Sequence, residues 1–177
     1  SFIAREMAWA FSALENRRVL LIAADYRRIV PMEGLSKTPK HTLADLMLGT
    51  NPDDEIDLMV PELGFEYLPA RPIDLDPSDL LSSPRFDQLM ENLREEFDVI
   101  IIDGPPVLPV PDSVNLARCV DMTVFAVRHD HTLVSKVIEG LTRLRMAGVK
   151  PISAVLSRTR HKDEDHDGYL AYISNPD

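Results

Sequence analysis

Four short aliphatic runs, each stopped by a polar or charged residue, constrain this chain more than any other feature. VLLIAA at 19–24 ends at Asp25, and VIII at 99–102 ends at Asp103. MTVFAV at 122–127 ends at Arg128, and ISAVL at 152–156 ends at Ser157 and Arg158. Continuous runs this short, partly β-branched, are the pattern of strands buried on both faces. A weaker run, FEYL at 65–68, is stopped by Pro69.

Between the runs the apolar spacing becomes helical. Ile3, Met7, Phe11 and Leu14 share one helical face. Thr42 is placed to cap a short helix that Gly49 closes, and Ser83-Pro84 opens one lined by Phe86, Leu89, Leu93 and Phe97. Pro111-Asp112 opens a short helix through Ala117, and Thr132 opens one with Leu133, Val137, Leu141 and Leu144 inward, closed by Gly148. Strands alternating with such helices predict an α/β fold: a mostly parallel central sheet with helices on both faces. Residues 53–79, rich in Pro and Asp, read as a long surface excursion. Met7, Phe11 and Met146 are expected in the core, Trp9 between helix and sheet or at an interface, and Cys119 buried.

Composition narrows the function. The 177 residues suit one domain. A net charge of −10 argues against a nucleic-acid partner, since phosphates would be repelled. The single cysteine excludes a disulfide framework and a cysteine-rich zinc site. The five histidines form no ligand pair at credible helical spacing. No stretch approaches the roughly 20 apolar residues that span a bilayer.

Parallel sheets bind ligands at the carboxyl ends of their strands. In VIIIDGPP (99–106) four aliphatics deliver Asp103 to the sheet edge, and two prolines stiffen the turn that presents it. This is the Walker-B arrangement, in which an Asp holds magnesium beside nucleotide phosphates. The alternative is an Asp that merely caps the next turn. Arg27 and Arg28, following the first strand, could meet phosphate or a neighbouring subunit.

VLLIAADYRRIVP (19–31) makes the reading specific. It resembles the Walker A′ motif of bacterial tyrosine kinases, members of the deviant Walker group of P-loop proteins that includes the MinD and ParA ATPases. Asp25, Tyr26, Arg27 and Pro31 fit that motif. TLADLMLG (42–49), LPARP (68–72), DPSDLLSSP (76–84) and VIIIDGPPVLPVPDS (99–113) resemble later family segments in order. The resemblance covers about residues 1–158, a P-loop kinase-like domain placed at 1–160. It implies ATP or ADP with Mg2+ as cofactors, and Asp25 and Asp103 as catalytic carboxylates. Ser1 and Asp103 would contact magnesium, and Ser1 and Arg158 the nucleotide. It further implies a transmembrane co-polymerase or activator as partner, a ring of like subunits, no nucleic acid, and a place on the cytoplasmic side of the bacterial inner membrane.

Three departures stand out. The loop G-x-x-x-x-G-K-[ST] should precede the first helix, and Ser1 occupies its last position, so the resemblance places a strand and the glycine-rich loop upstream. Ala23 stands where the family has the first A′ Asp, a candidate general base. Ser157 replaces the usual Asn before Arg158. Residues 161–177 are expected to form a flexible tail, with Tyr169 and Tyr172 matching the family's phosphoacceptor cluster by position. The reading is thus an ATP-dependent tyrosine autokinase domain of polysaccharide export, impaired at Ala23. The alternatives are a nucleotide-binding pseudokinase and a MinD- or ParA-like ATPase.

Overall fold

The computed structural model describes residues 2–30, 32, 35, 39–49, 58–60 and 63–159. Ser1, Pro31, Tyr169, Tyr172 and the predicted tail lie outside the described residues.

The elements follow in order. They are α1 (Phe2–Ser12), β1 (Val19–Ala23), α2 (Leu43–Leu48), β2 (Met59–Val60), β3 (Phe65–Leu68), α3 (Pro77–Leu81), α4 (Pro84–Glu96), β4 (Val99–Asp103), α5 (Asp112–Arg118), β5 (Thr123–Arg128), α6 (Val134–Met146) and β6 (Ile152–Ser157). One sheet has the order β2-β3-β1-β4. In it β1 runs parallel to both β3 and β4, and only β2 is antiparallel. A second sheet holds β5 and β6 as a parallel pair. The predicted α/β fold is present, with its strands divided between two sheets rather than joined in one.

Alternation along β1 builds both faces of the core, because successive side chains point opposite ways. Leu20 and Ile22 pack with Leu43, Met47, Leu68, Leu81, Phe86 and Leu93 from α2, β3, α3 and α4. Val19 and Leu21 pack with Phe65 and Tyr67 beneath Ala8 of α1. The ends of α2 and α4 have local causes, whereas α5 and α6 begin without a side-chain cap. Thr42 Oγ1 accepts from the Asp45 N–H while Asp45 reaches back to the Thr42 N–H, closing a capping box ahead of α2. Gly49, at φ 65°, ends that helix in the left-handed region that glycine tolerates best. Ser83 caps α4, with Pro84 at its first turn.

Several expectations are corrected. Of the predicted surface excursion, residues 71–79 are mostly exposed, while β3 lies inside the sheet against β1 and Leu58 and Val60 are buried. Met146 is 85% exposed on the outer side of its helix, and Trp9, at 62%, does not pack between helix and sheet, which leaves the interface alternative. Phe11, expected in the core, is 36% exposed. Leu133 is 69% exposed; it precedes α6, beyond the stretch where Gly140 and Leu144 meet the core. Strands β5 and β6 are not buried on both faces, and Val155 and Leu156 are exposed. Cys119 is half-buried, its Sγ 3.4 Å from the Asn115 carbonyl.

Candidate nucleotide site at the strand ends

Parallel pairing of β1 with β4 sets Ala23 opposite Asp103. The ladder continues one step further, where the Ala24 N–H donates to the Asp103 carbonyl at 2.9 Å. The methyl of Ala23 therefore neighbours the carboxylate that ends the next strand. Asp25 follows two residues on. Its Oδ1 accepts from the backbone N–H groups of Arg27 (3.1 Å) and Arg28 (3.0 Å), folding the chain into a tight turn. One oxygen of Asp25 is thus committed to holding that turn.

The turn after Asp103 is pinned from the other side. The Ser113 hydroxyl donates to the carbonyls of Pro105 (2.8 Å) and Pro106 (3.1 Å). At Gly104 an added Cβ would lie 3.1 Å from Leu116 Cδ1, so the turn sits close against α5. Asp103 also acts on Tyr67: burial first, then the Asp103 charge, pushes that phenol up to about 12.

Arg27, which the sequence places to meet phosphate or a neighbouring subunit, is tied within the chain while its side chain stays 39% exposed. Its Nε donates to Asp112 Oδ2 at 3.1 Å, and its Nη2 reaches Asp76 Oδ1 (3.3 Å) and Ser78 Oγ (3.2 Å). The hydrogen bond to Asp112 above all holds the guanidinium more firmly charged. Asp76 is held below the usual carboxylate range, chiefly by the Ser78 N–H.

A second polar cluster lies behind the β1 end. Asp45 is buried and bonded to Thr42 and Arg71. The Tyr26 hydroxyl and His41 Nδ1 are buried without a hydrogen-bond partner among the described residues. Burial first, then the negative charge of Asp45, raises the Tyr26 phenol far above its ordinary value. The sequence reading missed Asp112, Asp45, Arg71 and Tyr67 as members of this region. A polar residue at a helix start, as in VPDS, was the available signal for Asp112, but its burial was not legible.

The structure brings Ala23, Asp25 and Asp103 together. Arg158 follows β6 in the other sheet, exposed and at φ 58°. A cavity of about 620 Å3 between α5 and α6 includes neither carboxylate. Among the described residues no group of three His, Cys, Asp or Glu could enclose a metal.

Parallel strands, helices on both faces and a carboxylate at the strand edge beside an A′-type turn define a fold of the P-loop nucleotide-binding class. Likeness to known proteins carries this further. No protein-family model matches the chain. Tyrosine-protein kinase ptk of Acinetobacter johnsonii is 30% identical over 157 residues, covering 89% of this chain and 21% of its own length. The kinase domain of Escherichia coli tyrosine kinase ETK superposes with a TM-score of 0.80 at 26% identity, covering 91% of this chain and 63% of that domain. A cobyrinic acid a,c-diamide synthase from Mycobacterium smegmatis, with bound ADP and magnesium, shares the fold alone at 20% identity and a TM-score of 0.60. ParA- and MinD-type proteins share the fold at similar distance. The chain is a relative of the kinase domains of bacterial tyrosine kinases, with ParA- and MinD-like P-loop proteins further away. It spans about a fifth of the length of the curated relatives it matches. Among the described residues no helix is long and apolar enough to cross a membrane.

Proposed function

We propose that this chain is part of the kinase domain of an ATP-dependent tyrosine autokinase that regulates exopolysaccharide or capsule polymerisation and export. The observation that carries this is the register placing Ala23 against Asp103, with Asp25 two residues beyond. Relatives named as tyrosine-protein kinases support it. Bound ATP with Mg2+ would supply the γ-phosphoryl group and neutralise its developing charge. Asp103 holds magnesium through water from the edge of β4. Asp25 lies nearest to the proton-accepting role that an Asp at position 23 would fill, with one oxygen already spent on its turn. Ser1 contributes a hydroxyl to magnesium, and Arg158 contacts the nucleotide. Tyr169 and Tyr172 are the acceptors, presented by a neighbouring subunit in a ring, within a domain at 1–160 and a tail at 161–177. A transmembrane co-polymerase or activator tethers the domain to the cytoplasmic side of the inner membrane.

Ala23 favours a second reading, a nucleotide-binding pseudokinase that regulates export without transferring phosphate. Alanine neither accepts a proton nor approaches a metal, and losing a general base costs about 10²–10⁴ in rate. An anti-phosphotyrosine blot of the full-length protein, with Ala23 and with Ala23→Asp, separates the readings. The expected result is weak signal that rises about 10²-fold or more with Asp. Silence in both sinks the kinase reading.

A further inference from the structure

Asp112 is fully buried at the start of α5, and no step of the phosphoryl-transfer scheme uses it. A buried carboxylate is costly unless it is paired and hydrogen-bonded. Here two donors meet it from different elements: Arg27 Nε at 3.1 Å, from the chain after β1, and the Ser78 hydroxyl, from α3, at short range. Arg27 then spans outward to Asp76. The backbone N–H of the same Arg27, with that of Arg28, holds Asp25 Oδ1. The residue after Asp112, Ser113, holds the two proline carbonyls just beyond Asp103. One helix start therefore grips both turns that present the strand-end carboxylates.

We propose that Asp112 is a positioning residue: through Arg27 it clamps the Asp25 turn to the turn after Asp103, and so fixes the spacing of the two carboxylates toward a magnesium-bound nucleotide. The clamp stands on the geometry above; its purpose rests on the nucleotide-site reading. Neutralising Asp112 leaves Arg27 with a weaker, uncharged partner. The Asp25 turn then opens more often, while the ladders of β1 with β3 and β4 persist.

The test compares Asp112→Asn with wild type in the full-length protein by two measurements. Amide hydrogen exchange at Arg27 and Arg28 should quicken about 10-fold, with Leu20 to Ile22 unchanged, since local opening precedes global unfolding. The Mg2+ concentration that half-saturates ADP binding should rise about 10-fold, the scale of lost outer-shell support at a metal site. Phe86→Leu, a core substitution on α4, lowers thermal stability and should move neither readout. If Asp112→Asn does not fold, Ser78→Ala removes one of the two donors and should quicken the same two amides to a smaller extent. Unchanged exchange at Arg27 and Arg28 in the folded variant overturns the clamp. Absence of Mg2+-dependent ADP binding in wild type counts instead against the nucleotide-site reading, and the amide rates still decide the clamp.

Discussion

Ala23 places a methyl group beside a carboxylate on the neighbouring strand, and this one contact shapes the chemistry open to the site. Two Asp side chains at 23 and 103 would repel unless a cation lay between them. With alanine at 23 that repulsion is removed, and the Asp103 charge also reaches Tyr67. Burial and the Asp103 charge push the Tyr67 phenol up to about 12, above the ordinary value near 10. The neutral form is thus favoured in the folded state. That stability is fully present below about pH 10 and is lost as pH rises through about 12. Tyr67→Phe should flatten the alkaline limb of a stability-versus-pH curve measured by urea unfolding between those limits. An unchanged slope would mean that other groups, Tyr26 among them, carry the alkaline loss.

Among the elements, α2 is the one whose ends the sequence spelled out and whose stability rests on them. It has six residues, too few to persist alone, so caps and packing must hold it. Thr42 was legible as a cap and Gly49 as a stop because both act locally. Arg71 was not, since its ion pair with the buried Asp45 is made across a turn 26 residues away. Thr42→Ala should cost about 0.5–2 kcal/mol in chemical denaturation, the range for a lost side-chain cap. A cost below a few tenths would show that Arg71 alone suffices to hold Asp45. Helix α6 shows the opposite limit. Its 3.6-residue spacing marked Leu144 correctly, but the stripe was extended to Leu133, which no element among the described residues covers.

Across the whole molecule, the four-stranded sheet is stitched at its entry as well as at its carboxyl end. Asp98 accepts from the Arg18 backbone N–H at 2.9 Å and from Arg17 Nη1 at 3.2 Å, tying the start of β4 to the start of β1. The Arg18 N–H above all holds Asp98 below the usual carboxylate range. A depressed folded value gives stability that is present above the ordinary carboxylate value, near 4, and lost as pH falls below it. Asp98→Asn should therefore lower stability at neutral pH and shrink the loss on acidification below about pH 4, read as thermal midpoints across that range. A parallel acid limb in both proteins would place the acid sensitivity elsewhere. The sequence by itself determined five of the six strands, their order along the chain, the short caps of α2 and α4 and the pair of acidic strand ends, because each depends on neighbours within a few residues. Only the tertiary structure decided that β3 lies inside the sheet, that β5 and β6 form a sheet of their own, that Ala23 faces Asp103, and that a buried Asp112 grips Arg27. Those outcomes depend on strand register and on contacts between residues far apart in the chain, which local periodicity does not encode.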